Sequence, residues 1–346
     1  MNNRERVVAA LELRQPDMVP VLEWAIDKKV AKGITGSENI LDTVEELDLD
    51  GITIRPDYGR EYIDELTYID EWGSKRKITG DYIDPLIESP IKDLGHQHKY
   101  DFPDPHAENR FKGIEEAVKR FGKKRAVILG LRDIWSDMRD LLGYENALMG
   151  AVLEKENFIK LLDRSIEYNH TLAQIASKKL GIDMIVTTDD IADSRSLIFD
   201  PKLYFDIFAP RFKKVVKSFK DLGCYHLKHV DGNIMQIMDF LVECGIDCID
   251  SIDPQGGMDL ERIKKEYGDR ICIKGNIDCS TILPEGPEER IEKAVKDCIS
   301  KAAKGGGYIL SSSNTIHSGI KTKYFKKMVD SARKYGKYPL DEKEVE

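Results

Sequence analysis

Eight apolar, strand-like segments separated by amphipathic helical segments constrain the fold of this chain more than any other feature. A strand, a helix and a second strand of the same sheet form a crossover unit, which makes the two strands parallel. Eight such units are the number that builds a (β/α)8 TIM barrel, so the alternation predicts an α/β protein of that type. The eight segments are MVPVLEW (18–24), DGITIRP (50–56), RAVILGL (125–131), DMIVTTDD (183–190), CYHLKHVDG (224–232), IDCIDSIDP (246–254), ICIKGNID (271–278) and GYILSSSN (307–314).

An open, doubly wound sheet is the alternative that the same alternation allows. It is disfavoured because no G-x-G-x-x-G follows the first strand, as a dinucleotide-binding sheet would require. The pattern runs through residues 1–340 as a single barrel domain. It is interrupted at about 57–110 by a polar, aromatic-rich segment, which we expect to be an inserted hairpin and loop. The last residues, 341–346, read DEKEVE and form a charged tail.

The composition is that of an ordinary water-soluble protein, with 33% charged and 41% hydrophobic residues among 346. The formal net charge of −9 argues against nucleic acid and against an anionic membrane surface as partners, because both attract basic proteins. No apolar run approaches the ~18 residues of a membrane-spanning helix. The six cysteines form no C-x-x-C pair, and Cys244, Cys248 and Cys272 lie in apolar contexts, which indicates reduced, buried thiols and a cytoplasmic location.

Polar side chains cluster where the predicted strands end. In barrels of this type the reactive groups lie at the carboxyl ends of the strands and in the loops that follow, an edge that we call the mouth. A packed core does not require such residues, and a buried charge is costly unless it is paired or used. The strand ends therefore supply the candidate site residues, which are Glu23, Arg55, Arg132, Asp133, Asp189, Asp190, His229, Asp231, Asp253, Asn276, Asp278 and the segment 311–314.

The fifth segment carries the most specific of these signals. Side chains alternate between the two faces of a strand, so Leu227, His229 and Asp231 share one face. Gly232 then permits a sharp exit from the strand. A His-x-Asp pair on one face can orient an imidazole for acid–base chemistry or bind a metal ion. A hydrogen bond that merely satisfies two residues at the rim is the alternative.

The remaining candidates are weaker. Asp189 and Asp190 are adjacent, so only one of the two can face the mouth; Asp189 is a candidate catalytic residue, and a helix cap or a salt bridge is the alternative. Asn276 precedes the end of the seventh segment, and Asn314 and His317 belong to the polar loop after the eighth. We take Glu23, Asp190, Asn276, Asn314 and His317 as candidate substrate-binding residues.

Several fragments together resemble one family. The chain resembles the uroporphyrinogen decarboxylase superfamily, which includes the cobamide-dependent methyltransferases, and this resemblance implies a TIM barrel. The heme-pathway decarboxylases carry an N-terminal arginine pair that grips the carboxylates of the tetrapyrrole. Here that region reads VPVLEWAIDKKVAKG, in which Glu23 would repel a polyanion, so the chain looks closer to the methyltransferase branch. The fragments are RQPDMVPV (14–21), DEWG (70–73), FPDP (102–105), TTDD (187–190), HVDGN (229–233), IDPQGGMDL (252–260), KGNID (274–278) and GGGYILSSSN (305–314).

The methyltransferase branch holds zinc with a His-x-Cys motif on strand five and a second cysteine after strand eight. The matching positions here are His229, Asp231 and Asn314, so both thiolates are missing. Asp and Asn are hard oxygen ligands, whereas zinc and thiol substrates suit soft thiolates. A zinc site built on His229 and Asp231 and a metal-free site both remain open.

What the resemblance implies is a corrinoid-linked methyltransferase or demethylase. A small methylated compound would bind in the mouth, and a separate corrinoid protein would supply the methyl acceptor. His229 and Asp231 would act as a Lewis-acid site or as a general acid. A decarboxylase that acts on a tetrapyrrole or a smaller acid is one alternative, and a non-catalytic small-molecule-binding barrel is another. The resemblance also implies a homodimer.

Overall fold

The computed structural model of this chain describes residues 1–80 and 83–345. Asp81 and Tyr82, in the predicted insertion, and Glu346, in the predicted tail, lie outside the described residues. The strands are β1 (Ala25–Ile26), β2 (Gly51–Ile54), β3 (Arg60–Tyr62), β4 (Thr67–Asp70), β5 (Lys75–Lys77), β6 (Leu86–Glu88), β7 (Ala126–Arg132), β8 (Met184–Thr188), β9 (Tyr225–His229), β10 (Cys248–Asp250), β11 (Cys272–Ile277), β12 (Tyr308–Ser312) and β13 (Thr315–Ile316).

Helices follow most strands of the predicted barrel, and one short helix, α15, lies within the predicted charged tail. Across residues 1–80 and 83–345, none of them is both long enough and apolar enough to cross a membrane. The helices are α1 (Asn3–Leu11), α2 (Lys28–Thr35), α3 (Ile40–Glu46), α4 (Lys112–Phe121), α5 (Ser136–Leu142), α6 (Tyr144–Leu153), α7 (Lys155–Leu180), α8 (Pro201–Leu203), α9 (Ala209–Asp221), α10 (Met238–Glu243), α11 (Leu260–Tyr267), α12 (Ile282–Glu285), α13 (Glu288–Ala302), α14 (Thr322–Tyr335) and α15 (Glu342–Val345).

Seven strands form one parallel sheet in the order β12-β11-β10-β9-β8-β7-β2. Neighbours in the sheet are neighbours in the sequence of predicted strands, which is the order of a curled, barrel-type sheet and confirms an α/β fold of the TIM-barrel type. Within the described residues the first predicted segment forms no strand of this sheet, but it makes isolated bridges from Val21 to Leu310 and from Met18 to Lys337. Its backbone nevertheless reaches both edge strands, because Leu310 N–H donates to Pro20 O at 2.9 Å and Asp50 N–H donates to Val21 O at 2.9 Å.

The two faces of the curled sheet bury separate apolar clusters. Inside the curve, the strands from β7 to β12 contribute residues from alternate positions, among them Ile128, Val186, Leu227 and Ile309, and Leu22 of the first predicted segment joins them. Outside it, the opposite face of the strands packs against the helices in a larger cluster. This division follows from the period of two along a strand, and it decides which side chains reach the mouth from within.

The insertion is larger than the hairpin that the sequence predicts. Strands β3 to β6 form a four-stranded antiparallel sheet, which we call the insertion sheet. Arg76 on β5 ties this sheet to the barrel, because its guanidinium donates to Asp140 of α5 at 2.8 Å. Arg110, almost fully buried, donates to Glu71 at 3.0 Å and holds the other end. The insertion sheet thereby covers part of the mouth.

Candidate active site

Three ionisable side chains meet at the mouth on neighbouring strands. In the ladder Asp250 of β10 is paired with His229 of β9 on one side and with Lys274 of β11 on the other. His229 Nδ1 lies 2.8 Å from Asp250 Oδ2, and Lys274 Nζ donates to the same oxygen at 2.8 Å. All three are buried. Because residues in register on adjacent strands point the same way, the sheet itself assembles this triad.

The electrostatics of the triad fix the direction of its hydrogen bonds. Burial alone would raise the pKa of Asp250, but the Lys274 ammonium and His229 lower it below its ordinary value. Asp250 is therefore a carboxylate and can only accept hydrogen bonds. It follows that His229 carries a proton on Nδ1, so its other ring nitrogen, Nε2, is left for the mouth. Asp250 Oδ1 has no partner of its own within the described part of the chain.

The imidazole of His229 is also held from one face. The Trp24 ring stacks on it with centroids 4.8 Å apart and an angle of 14° between the planes. Trp24 in turn lies under the guanidinium of Arg55, whose central carbon is 5.0 Å from the ring centroid. With Nδ1 bound and one face covered, the ring has little rotational freedom, and the direction of Nε2 is set by the fold.

Asp231 and Asn314 complete this side of the mouth. Asn314 Nδ2 donates to Asp231 Oδ2 at 2.5 Å, and Ser251 Oγ donates to Asp231 Oδ1 at 3.2 Å. His229 Nε2 lies 3.6 Å from Asp231 Oδ1. Burial raises the pKa of Asp231, with Asp190 and Asp253 adding to the rise, although His229 opposes it. The structure thus brings together three predicted residues, His229, Asp231 and Asn314.

Two cavities adjoin this cluster. One, of about 300 Å³, is lined by Asp231, Asn314, His317 and Cys279, among others. The His317 ring is held there by two backbone groups. Its Nε2 lies 2.9 Å from Cys279 O, and the Gly319 N–H donates to its Nδ1 at 3.1 Å. His317 therefore forms part of the cavity wall, and its contact with a substrate stays a prediction.

The second cavity, of about 610 Å³, lies under the insertion sheet, and Arg55 is among its lining residues. This volume is in the range of small-molecule sites. Its deep wall includes Arg132, whose guanidinium donates to Asp140 at 2.9 Å, and Asp137, which accepts from Asn169 at 2.8 Å. Because Arg55 covers the Trp24 ring and Trp24 stacks on His229, this cavity and the triad are separated by one aromatic ring.

Glu23 and Asn276 are engaged within the barrel wall. Glu23 is 3% exposed and accepts the backbone N–H of Ser312 at 3.1 Å. Burial raises its pKa to about 7, although Lys274 and the Ser312 hydrogen bonds oppose the rise. Asn276 donates to Ile252 O at 2.7 Å. The structure therefore gives both residues structural partners, and a contact of either with substrate stays a prediction.

Asp189 and Asp190 lie away from the triad. Both oxygens of Asp189 accept backbone N–H groups at the start of α5, including that of Ser136 at 2.6 Å. Its other neighbour is Lys228, on the face of β9 opposite to His229, which pairs with Asp133 at 2.7 Å. Burial, followed by the Asp133 charge, raises the pKa of Asp189 to about 7. The helix-cap alternative thus describes its position better than a catalytic one, because its oxygens are already bound.

Asp190 points to the surface, where it pairs with Arg139. Its side chain is 57% exposed, so the two adjacent aspartates do point apart as the sequence predicts. The side chain that stays inside is the one that caps α5, and the other is solvated. Neither side chain is bound to His229, although the Asp190 charge is near enough to add to the pKa rise of Asp231.

The residues near His229 do not fit the zinc site that the family implies. Among residues 1–80 and 83–345 no group of three or more His, Cys, Asp and Glu side chains is placed to hold a metal ion. Both Asp231 oxygens accept hydrogen bonds, and Thr315 Oγ1 donates to Asn314 Oδ1 at 2.9 Å, which turns the Asn314 amide N–H toward Asp231. Burial raises the pKa of Cys279 and keeps that nearby sulfur a thiol. No step below is routed through a metal.

Three residues of the site were not found from the sequence, namely Asp250, Lys274 and Trp24. A signal existed for the first two. Leu227-x-His229, Cys248-x-Asp250 and Cys272-x-Lys274 share one spacing, in which an inward apolar residue is followed two positions later by an ionisable one. Comparing strand interiors rather than strand ends reveals it. Trp24 carries no such signal, because its stacking on His229 depends on tertiary packing.

With this geometry in place, comparison with known proteins gives the family. Residues 41–335 match the family model described as "Uroporphyrinogen decarboxylase (URO-D)". The chain belongs to the uroporphyrinogen decarboxylase family. A solved methyltransferase from Methanosarcina mazei superposes with a TM-score of 0.79 at 18% identity, covering 97% of this chain and 99% of that one. This likeness establishes the fold.

The family contains relatives of different activity. Methylcobamide:CoM methyltransferase MtaA of Methanosarcina barkeri is 24% identical over 192 residues, which is 54% of each chain. The methylated-thiol–coenzyme M methyltransferase of Methanosarcina mazei is 21% identical over 186 residues, covering 54% of this chain and 48% of the relative. A uroporphyrinogen decarboxylase from Pseudoalteromonas atlantica is 28% identical over 78 residues, covering 22% of this chain and 21% of the relative. The chain therefore spans about half the length of the methyltransferase relatives it matches.

Proposed function

We propose that this protein is a corrinoid-linked methyltransferase, which moves a methyl group from a small methylated compound to a corrinoid carried by a partner protein. Its methyltransferase relatives act, by name, on methylcobamide or methylated thiols. The single observation that carries the proposal is the buried Lys274–Asp250–His229 triad, which aims one ring nitrogen at the mouth beside Asp231. Such an arrangement has a chemical use, whereas a binding scaffold does not require it.

The barrel that holds the site is, in this proposal, a closed ring of eight strands. Support comes from the Pro20–Leu22 backbone, which hydrogen-bonds to β12 and to Asp50 just before β2. A closed ring leaves the mouth as the open end for both reactants. The methyl donor would occupy the cavities next to His229 and under the insertion sheet, and the corrinoid would approach from the solvent side.

Each proposed role follows from a contact. His229 would interact with the departing group through Nε2, the nitrogen that Asp250 leaves free. Asp231, which is held by Asn314 and Ser251 and lies 3.6 Å from His229 Nε2, would position the same group. Asp250 and Lys274 would orient His229, and Trp24 would cover its face.

Decarboxylation of a tetrapyrrole is less well supported. A polycarboxylate would have to enter a mouth where Asp231 and Asp253 line the smaller cavity. The larger cavity is lined by five basic side chains, but five aspartates line it too, and Arg60, Arg76 and Arg132 are already paired with four of them.

The test is methylation of cob(I)alamin, followed by its visible absorbance, with a panel of methyl ethers, methylamines and methyl thioethers. The proposal predicts turnover with at least one donor and its loss in His229→Ala. Uroporphyrinogen is included in the same panel. Formation of coproporphyrinogen without any cobalamin methylation would replace the proposal with decarboxylation.

A further inference from the structure

The groups around His229 bear on the kind of bond that this site breaks. A nucleophile that takes a methyl group leaves behind an anion, unless the donor carries a positive charge. Thiols ionise near 8.5, phenols near 10 and water near 15.7, so an alkoxide is a far poorer leaving group than a thiolate, and a phenolate is a moderately poorer one. A donor bound through oxygen therefore needs a proton as the bond breaks, and a thioether or a quaternary ammonium donor needs little or none.

The site is equipped to deliver a proton and lacks the parts that would handle sulfur. His229 Nδ1 is hydrogen-bonded to the Asp250 carboxylate, which orients the ring for acid–base chemistry, and Lys274 keeps Asp250 ionised. Position 231 holds a carboxylate and position 314 an amide, so neither supplies a thiolate. A cysteine near the mouth, Cys279, is a buried thiol whose sulfur accepts from Ser313 Oγ at 3.3 Å.

His229 Nε2 and Asp231 Oδ1 leave a narrow gap, and no atom fits directly between the two. The two groups are 3.6 Å apart, which is too long for a hydrogen bond between them. A single oxygen atom placed beside that gap lies within hydrogen-bond distance of both. Asp231 would then accept the hydrogen of the hydroxyl that forms, while Asn314 and Ser251 hold the carboxylate in place.

We infer that the methyl donor is an oxygen-linked methyl compound, a methyl ether, and that His229 donates the proton to its departing oxygen. The inference rests on the proposed function. In the step, the electron pair of a cob(I)amide forms the bond from cobalt to carbon, and the carbon–oxygen bond breaks with its pair going to oxygen. The proton passes from His229 Nε2 to that oxygen, which leaves as an alcohol or phenol. Solvent then returns a proton to His229.

In this scheme Asp250 and Lys274 are positioning residues, because they act through His229. Lys274→Arg keeps the positive charge next to Asp250, whereas Lys274→Met removes it. The two variants therefore form a matched pair in which charge differs and side-chain length is similar.

The experiment measures methyl transfer to cob(I)alamin from anisole and from 4-nitroanisole, whose leaving phenol is more acidic. Dimethyl sulfide and tetramethylammonium are the sulfur and nitrogen probes. Wild type is compared with His229→Gln and with His96→Gln, an exposed histidine outside the site. His229→Gln is expected to slow transfer from anisole about 10²–10⁴-fold, the usual effect of a general acid, and to slow 4-nitroanisole at least tenfold less. His96→Gln should change neither rate.

The outcomes distinguish a failure of this inference from a failure of the proposed methyltransferase function. Transfer from dimethyl sulfide or tetramethylammonium but from neither ether would overturn the inference and leave the methyltransferase standing. An equal loss for both ethers in a folded His229→Gln, checked by near-ultraviolet circular dichroism, would also overturn it. No transfer from any probe would contradict the proposed function itself. Lys274→Met should follow the His229→Gln pattern, and Lys274→Arg should recover at least part of the anisole rate.

Discussion

Glu23→Gln tests whether the barrel wall holds a protonated carboxyl group. Glu23 is buried beside Ser312, and its pKa in the folded protein rises from 4.5 to about 7. The folded protein therefore keeps a proton that the unfolded chain loses near 4.5, and stability must fall as the pH rises between these values. A difference of this size corresponds to about 3 kcal/mol of unfolding free energy once the pH is well above 7.

The variant removes this dependence without removing the main contacts. A glutamine oxygen still accepts the Ser312 N–H and hydroxyl, so any change in packing or hydrogen bonding adds an offset that does not vary with pH. Urea unfolding of both proteins at pH 5 and pH 8.5 gives the difference between them at each pH. We expect that difference to shift by about 2–3 kcal/mol in favour of the variant at the higher pH.

The control is Glu61→Gln, because Glu61 is exposed on the insertion sheet. Its difference from wild type should stay the same at both pH values. A Glu23→Gln difference that is equally constant would show that Glu23 ionises normally, and it would refute the claim that burial dominates the electrostatics of this wall. Taking the difference cancels contributions common to both proteins, including that of Asp189.

Three further predictions concern the scaffold. Lys228→Met leaves the buried Asp133 without its partner, and we expect unfolding free energy to fall by about 3–5 kcal/mol in urea, with recovery in a double variant that also carries Asp133→Leu. Arg110→Leu removes the ion pair to Glu71, so limited proteolysis should cleave the insertion faster than in wild type; unchanged cleavage would mean that other contacts hold it. Gly232→Ala places a Cβ 2.5 Å from a backbone oxygen at φ +79°, and it should lower the thermal midpoint more than Gly245→Ala, at φ +86° with open space around it. Equal midpoints would contradict the last of these.

The alternation of strands and helices made the barrel-type fold predictable, because the period of the apolar residues is a local property. The extent of the insertion was not predictable in the same way. Its strands β3 to β6 are short and mostly exposed, so they lack the apolar signal that marks the barrel strands. These strands are held by contacts between residues that lie far apart in the sequence, such as the ion pair between Arg76 and Asp140.

The site residues could be predicted where the direction of a side chain on its strand was enough to place it at the mouth. His229 and Asp231 share a face because of strand geometry, and the loop after β12 brings Asn314 to them. Asp189 shows where such reasoning ends, because its position at a strand end does not reveal that the start of α5 supplies three N–H groups to it. Lys274 and Asp250 share a spacing signal with His229, but the strand register that brings the three side chains together is a tertiary property.

The most direct measurement of the central claim follows a labelled methyl group. Anisole carrying a ¹³C-methyl group is incubated with the protein and cob(I)alamin, and nuclear magnetic resonance records the appearance of a methyl signal bound to cobalt. We predict that the signal grows in wild type and grows about a hundredfold more slowly in folded His229→Gln. Growth at the same rate in both proteins would mean that the Lys274–Asp250–His229 triad is not the site of the reaction.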